Sequence, residues 1–246
     1  MDKNVTNMIN DLHSFLIKNI TTDYFSVIYG SYAYGISNKK SDLDFVVACQ
    51  EPNQNNICDL MDFAFTLYSK YHLAIDAEVP HRKKLLVSYP LVEKAIQGQG
   101  FTKKNDQMYV PQIIKNKECL ESDSILMRLL FNILTTKNVF VSGNEQKYAF
   151  FRKQAIENLI GFIFTINDIS SSTIDEFIQN LLGTPDRNGE MYLGYKNKPA
   201  VVSYLRDVVQ NELTKLCDRD IFTEHNKRYT LKDILWLKKV ICHVKE

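Results

Sequence analysis

Apolar residues recur at three- and four-residue steps from Val5 to Ile20, a spacing that predicts an amphipathic first helix. Two short runs rich in aromatic and β-branched residues follow, at Tyr24–Tyr29 and Leu43–Cys49, and both are typical of interior strands. Helical spacing returns at Ile57–Tyr68, and alternation at Leu73–Val79 predicts a third strand. The order helix, strand, strand, helix, strand with short loops indicates one compact α/β or α+β unit.

The spacing changes past Lys115, where the further segments rich in apolar residues have a helical period. These segments predict a helical bundle at Ile125–Leu134, Tyr148–Ile166, Ile174–Leu182, Val201–Leu216 and Leu231–Val244. We therefore expect an α+β fold, with a sheet and flanking helices at 1–115 and a C-terminal helical domain at 116–246. The helix near 145–166 has the widest apolar stripe and is expected to be the most buried. The long irregular stretch at 183–199 is a candidate lid.

Charge and cysteine content narrow the classes of function. Thirty Lys and Arg residues against twenty-nine Asp and Glu residues give a net charge of +1, which disfavours strong binding of nucleic acid. Five scattered cysteines without a C-x-x-C pair favour reduced thiols over a disulfide framework. The first twenty residues contain no apolar run long enough for a secretion signal or a membrane span, so we expect a cytoplasmic protein without membrane contact.

The segment YGSYAYGISNKKSDLDF, at 29–45, carries the candidate chemistry. Asp42 and Asp44 are two residues apart at the start of a predicted strand, so they are expected on one face, where like charges repel unless a cation lies between them. Hard divalent cations such as Mg²⁺ suit two carboxylates of this kind. Gly30 and Ser31 end the preceding strand, and a glycine lets a phosphate approach backbone amides and the serine hydroxyl.

Acids that bind metal beside a phosphate-binding turn indicate phosphoryl transfer. A third carboxylate is then expected on a neighbouring strand, and Asp76 lies on one, with Glu78 as the competing choice on the same face. Lys39 and Lys40 flank the acid-bearing strand and are candidates for neutralising triphosphate charge, although a solvated loop is an equally ordinary explanation.

Taken together, Gly30-Ser31, the following Tyr-Ala-Tyr-Gly turn and Asp42-Leu43-Asp44 resemble the signature of the nucleotidyltransferase superfamily, which includes DNA polymerase beta and the aminoglycoside nucleotidyltransferases. The resemblance covers residues 24–80 and implies a small mixed sheet, followed in many members by a helical domain that helps to bind the acceptor. It implies that Gly30 and Ser31 hold the β- and γ-phosphates of a nucleoside triphosphate such as ATP. Asp42, Asp44 and Asp76 would then form the catalytic site with two magnesium ions, and Glu78 is a candidate base.

The activity expected from this resemblance is transfer of a nucleoside monophosphate to a hydroxyl group, with release of pyrophosphate. The near-zero net charge favours a small-molecule acceptor over tRNA or DNA, although a protein or tRNA acceptor is an alternative. A second alternative is a non-catalytic regulator that retains the fold, as one half of a toxin–antitoxin pair. Acceptors in this superfamily are sometimes bound across a subunit interface, so a homodimer is also open.

One rival motif lies near the C-terminus. Arg219 and His225 fit the loose R-x(4–6)-H pattern of helical HEPN ribonucleases, a short pattern that also occurs by chance.

Overall fold

The computed structural model describes residues 3–39, 41–73, 85–100, 102–104, 107–109, 123–182, 195 and 198–241. The chain divides into two compact units, which are described separately below. The first, called the sheet unit, comprises Met1–Glu93 and Lys137–Phe150. The second, called the helical unit, comprises Lys94–Thr136 and Phe151–Glu246. The predicted domain boundary at 115/116 lies outside the described residues.

The sheet unit is built on a mixed four-stranded sheet. Its elements in chain order are α1 (Lys3–Asn19), β1 (Tyr24–Tyr29), α2 (Gly30–Tyr34), β2 (Asp44–Cys49), α3 (Gln54–Tyr71), β3 (Leu86–Ser88), the start of α4 (Tyr89–Ile96), β6 (Val139–Gly143) and the start of α6 (Glu145–Ile166). The strand order is β3-β2-β1-β6. β1 is antiparallel to both β2 and β6, whereas β3 is parallel to β2.

One face of this sheet is covered by α1 and α3. The amphipathic stripe predicted for α1 is buried, and it packs with α3 against alternate residues of β2, of which Phe45, Val47 and Cys49 are at most 1% exposed. Asn53 caps α3, because its side chain accepts a hydrogen bond of 2.8 Å from the backbone N–H of Asn56.

The opposite sheet face is covered by aromatic side chains at one end. Phe25 on β1 stacks on Tyr89 at a centroid distance of 5.9 Å and contacts Tyr148 at 5.6 Å. The register pairs Phe25 with Ala48 at this end and Tyr29 with Asp44 at the other. Asp44 therefore lies on the face away from α1 and α3, at the far end from the aromatic group.

The helical unit contains more strand than the sequence predicted. Its remaining elements are β4 (Thr102–Lys104), β5 (Gln107–Tyr109), α5 (Asp123–Thr135), β7 (Ser171–Thr173), α7 (Ile174–Leu182), α8 (Pro199–Asp218), β8 (Phe222–His225), β9 (Arg228–Leu231) and α9 (Ile234–Ile241). β4 and β5 form an antiparallel pair, and β7, β9 and β8 form an antiparallel three-stranded sheet. All five predicted helices are present, but the last begins at Ile234 rather than Leu231, because Arg228–Leu231 pairs as a strand.

The core of the helical unit is rich in aromatic rings. Phe131 stacks on Phe162 at 5.6 Å, while Phe164 contacts Phe222 edge-on at 5.0 Å. The apolar stripe of α6 is buried as predicted, with six of its side chains fully inaccessible to solvent: Phe151, Ala155, Leu159, Ile160, Phe162 and Ile163. This burial confirms the expectation of a helix near 145–166 with a broad apolar surface.

Several sequence predictions fall on residues outside the described part. The third predicted strand at Leu73–Val79 is one, apart from Leu73 itself. The candidate lid at 183–199 is another, apart from residues 195, 198 and 199. Within it, Tyr195 is buried and its Oη atom shares a hydrogen bond of 2.6 Å with Thr135 Oγ1.

Candidate functional site

The candidate site lies where β1 ends and β2 begins. The last pair in the antiparallel register joins Tyr29 to Asp44, and α2 starts at the next residue, Gly30. β2 starts at Asp44 rather than at the predicted Leu43, because β1 has turned into a helix by then and offers no partner to earlier residues. A strand end and a helix start therefore meet beside one carboxylate.

Gly30 and Asp44 are packed so closely that a larger residue at position 30 would force the Asp44 side chain to move. Gly30 has a φ angle of +71°, and a Cβ atom built on it would lie 2.3 Å from Asp44 Oδ2 and 3.2 Å from Asp44 Cγ. Non-bonded carbon and oxygen atoms do not approach so closely, and the left-handed φ angle is itself unfavourable for other residues. The glycine therefore allows the acid to lie directly against the backbone at the start of α2.

Ser31 occupies the first turn of α2 and is half-buried. Its carbonyl oxygen accepts the backbone N–H of Ile36 at 3.1 Å, and Gly35 ends the helix in the left-handed conformation with a φ angle of 70°. No hydrogen bond within the described residues uses the Ser31 hydroxyl. The hydroxyl is therefore not engaged within the part of the chain that the structure describes.

Asp42 precedes β2 and is half-buried. Leu43, between the two acids, is 2% exposed and belongs to the same core cluster as Phe45 and Val47. The alternation of side chains thus extends back to Leu43, and its continuation by one residue would put Asp42 on the same side as Asp44. Within the part of the chain described, Asp42 forms no ion pair with a basic side chain.

Within the described ranges, the carboxylates of Asp42 and Asp44 are the candidate metal ligands at this site. No group of three or more His, Cys, Asp or Glu side chains among these residues is arranged to hold an ion. Mg²⁺ is commonly bound by one or two carboxylates, with phosphate and water oxygens completing its shell, so the donor set of Asp42 and Asp44 fits this ion. The third predicted acid, Asp76, and its alternative, Glu78, both lie outside the described residues.

Of the two lysines predicted to neutralise phosphate charge, one lies within the described residues. Lys39 is exposed in the loop between α2 and β2, and in the described ranges it makes no ion pair. Lys40 lies outside those ranges. Exposure of Lys39 agrees with both the functional and the ordinary explanation.

Tyr32 and Tyr34 belong to α2 and have different surroundings. Tyr32 packs against the core cluster beneath the sheet, whereas Tyr34 Oη accepts a hydrogen bond of 3.2 Å from the backbone N–H of Lys137. Sequence reasoning gave neither residue a role in the site.

Sequence reasoning also missed β6, although the β-branched and aromatic run Val139–Val141 before Ser-Gly-Asn is a usable strand signal.

The ribonuclease-like motif near the C-terminus is not carried by one helix. Arg219 lies at the end of α8 and its Nη1 atom donates to Glu157 Oε1 at 2.6 Å. His225 lies on strand β8, opposite Arg228. Both residues therefore have ordinary structural surroundings.

The fold and the site define a mixed α+β protein with paired acids and a glycine turn at one strand end. The chain matches no protein-family model, and the search of curated proteins finds no relative. No helix among the described residues combines the length and the apolar character that crossing a bilayer requires.

Proposed function

We propose that this protein is a metal-dependent nucleotidyltransferase that moves a nucleoside monophosphate from a nucleoside triphosphate to an acceptor hydroxyl. The close contact between Gly30 and Asp44 supports the proposal most directly. It puts a carboxylate against a backbone free of side-chain bulk, one residue before Ser31. A glycine that served only to end β1 would not require a carboxylate 2.3 Å from the position of its missing Cβ atom.

The chain's own groups would divide the work of binding. Ser31 Oγ and the backbone at Gly30 would donate hydrogen bonds to the β- and γ-phosphates, and Lys39, in the loop between α2 and β2, would reduce their charge. Asp42 and Asp44 would hold magnesium, which when bound neutralises phosphate charge and stabilises the entering and leaving oxygens. Asp76 completes this set in the proposal, and Glu78 is the candidate base.

The reaction itself is a displacement at phosphorus. The acceptor oxygen forms a bond to the α-phosphorus, and the bond from that phosphorus to the oxygen that bridges to the β-phosphate breaks. Pyrophosphate leaves with that oxygen, and the acceptor proton passes to a base or to solvent. Near-zero net charge favours a small-molecule acceptor over a polyanionic one.

The test is turnover of each of the four common nucleoside triphosphates with Mg²⁺ and a metabolite extract, followed by mass spectrometry. We expect pyrophosphate release together with an acceptor that gains the mass of one nucleoside monophosphate. Asp42→Asn and Asp44→Asn should each lower turnover by about 100-fold or more, while the thermal midpoint shows that the fold persists. Asp59→Asn is the matched control, because Asp59 is an exposed acid on α3, on the opposite side of the sheet.

Two outcomes would argue against the proposal. A wild-type protein that binds triphosphate but releases no pyrophosphate would favour the non-catalytic regulator. Turnover that survives both substitutions of Asp42 and Asp44 would remove these acids from the site, and with them the metal assignment.

A further inference from the structure

Helix α2 is too short to maintain its own conformation. It spans only Gly30–Tyr34, and isolated helices of this length are unstable because nucleation is costly. Its order must therefore come from contacts with the rest of the sheet unit. These contacts decide how accurately Gly30 and Ser31 are placed.

Two contacts join α2 to the strands on both sides of β1. At its start, the backbone of Gly30 lies against the carboxylate of Asp44, the first residue of β2. At its end, Tyr34 Oη accepts the N–H of Lys137 at 3.2 Å, two residues before β6 begins at Val139. β6 is itself paired with β1 through Ile28 and Val139. The Tyr34 hydrogen bond therefore connects α2, which follows β1 directly, to the segment that leads into the neighbouring strand β6.

Two further hydrogen bonds at the end of α2 are local. Gly35 adopts a left-handed conformation and donates its N–H to Tyr32 O at 3.1 Å. Ile36 donates to Ser31 O at 3.1 Å. These bonds close the helix on itself but do not fix it relative to the sheet. Tyr32 on the same helix packs against the core cluster, and the Tyr34 bond joins the C-terminal end of α2 to Lys137, two residues before β6.

We infer that Tyr34 is a positioning residue for the phosphate-binding turn. By accepting the Lys137 N–H, its hydroxyl holds α2 against the start of β6 and so sets the orientation of Ser31 and the Gly30 backbone beside Asp44. This role rests on the proposed function, because it assigns to Tyr34 the alignment of groups that meet the β- and γ-phosphates. It predicts an effect on triphosphate affinity and little effect on the chemical step.

Tyr34→Phe tests the role because it removes the hydroxyl, and with it the Lys137 bond, while keeping the ring. Tyr71→Phe is the matched control, since Tyr71 Oη donates to Asp11 Oδ2 at 2.6 Å within the same unit, between α3 and α1. Both variants lose one hydroxyl that is engaged in a hydrogen bond, but only Tyr34 lies on α2. Each protein is compared with wild type by thermal midpoint, by hydrogen exchange of peptides covering 30–36, and by titration with a magnesium triphosphate.

For Tyr34→Phe we expect faster exchange at 30–36 and a Kd and KM for the triphosphate raised about 3- to 10-fold, the equivalent of one ordinary hydrogen bond. The value of kcat should change less than about twofold, since the acids are untouched. Tyr71→Phe should lower the thermal midpoint while leaving the exchange at 30–36 and the KM at their wild-type values.

Wild-type affinity in Tyr34→Phe, or unchanged exchange at 30–36, would overturn the role. A rise in KM that Tyr71→Phe reproduces at a similar loss of thermal midpoint would overturn it too, because the effect would then be general destabilisation. The proposed function fails in a different way, namely by an absence of triphosphate binding in the wild type. That result would remove the positioning role together with the proposed activity.

Discussion

The side chain of Asp44 lies directly against the backbone of Gly30: the Cβ atom that Gly30 lacks would lie 2.3 Å from Asp44 Oδ2. The contact involves a side chain on one side and a backbone on the other, so it can be relieved only by moving the acid. The pairing with Tyr29 holds the backbone of Asp44 at the first position of β2, so the movement must come from rotation of its side chain. The two residues are thus expected to be coupled in stability as well as in function.

A double-mutant cycle measures this coupling. Gly30→Ala should lower the free energy of unfolding by about 2–4 kcal/mol, through the left-handed φ angle and the clash with Asp44. In an Asp44→Ala background the atoms Oδ2 and Cγ are absent and the nearest remaining Asp44 atom is Cβ, at 3.3 Å. The cost of Gly30→Ala should then fall by about 1–2 kcal/mol, as measured by urea denaturation.

Gly35→Ala is the control for backbone strain alone. Gly35 has nearly the same φ angle as Gly30, but a Cβ atom there would have no other atom within 4 Å. We expect it to cost about 1–2 kcal/mol, with no dependence on residue 44. Equal costs for Gly30→Ala in both backgrounds would mean that the acid does not constrain the glycine.

A second glycine is constrained by backbone rather than by a side chain. Gly143 ends β6 with a φ angle of +98°, and a Cβ atom there would lie 2.1 Å from Tyr24 O and 2.9 Å from Phe25 Cα. Because no rotamer change can relieve these contacts, Gly143→Ala should cost more than Gly35→Ala, on the order of 3–5 kcal/mol. Urea denaturation of both variants gives the two losses in the free energy of unfolding. A loss for Gly143→Ala no larger than that for Gly35→Ala would show that the backbone of β6 moves easily away from β1 at this point.

Four elements of the sheet unit, α1, β1, β2 and α3, could be predicted because each carries its own pattern, whereas α2, β3 and α4 were not predicted. The run Tyr24–Tyr29 is confirmed as β1 residue for residue, and β2 differs from its prediction only at Leu43. β6 carries a strand pattern that was missed, but its partner in the sheet could not be predicted in the same way. It pairs with β1 across more than a hundred residues, as the 2.6 Å bond between Tyr24 Oη and Ser142 Oγ shows, and no local spacing encodes such a partner.

The candidate site was predictable to the same degree. The motif located Gly30, Ser31, Asp42 and Asp44, and the structure places Gly30, Ser31 and Asp44 at one strand end. Tyr34 was passed over because its partner Lys137 is 103 residues away and contributes only its backbone N–H, which any residue type would supply. Contacts of this kind become visible only when the chain is folded.

The β8–β9 hairpin shows how an unfavourable turn residue hides a strand pair. Its two central residues, Asn226 and Lys227, both have positive φ angles, 51° and 61°, as a type I′ turn requires. Lysine is poorly suited to this conformation, and a glycine at 227 would have given the usual hairpin signal. Lys227→Gly should therefore stabilise the protein by about 0.5–1 kcal/mol.

Lys238→Gly is the control for Lys227→Gly, because it is expected to lower stability rather than raise it. Lys238 is exposed on α9, where glycine is expected to cost about 1 kcal/mol through loss of helix propensity. Thermal and urea unfolding of both variants give the comparison. A Lys227→Gly variant less stable than wild type would show that Lys227 makes a contribution greater than its backbone strain.

Burial of a thiol predicts how stability depends on alkaline pH. Cys49 lies at the end of β2 without solvent exposure, and burial raises the pKa of its thiol from 9.0 to about 11. In the unfolded chain the thiol ionises near the ordinary value, so between pH 9 and pH 11 the unfolded state has released a proton that the folded state still holds. The stabilisation is complete below pH 9 and is lost as the pH rises towards 11, with a limiting slope of about 1.4 kcal/mol per pH unit.

Cys49→Ala should flatten this decline while lowering stability at every pH, because it also leaves a small cavity. Cys58→Ala should keep the wild-type slope, since Cys58 is exposed on α3 and changes its contact with water little on folding. The free energy of unfolding of the three proteins, measured by urea denaturation under reducing conditions from pH 8 to pH 11, gives the slopes. Parallel curves for wild type and Cys49→Ala would mean that the Cys49 thiol ionises equally readily in the folded and unfolded chains.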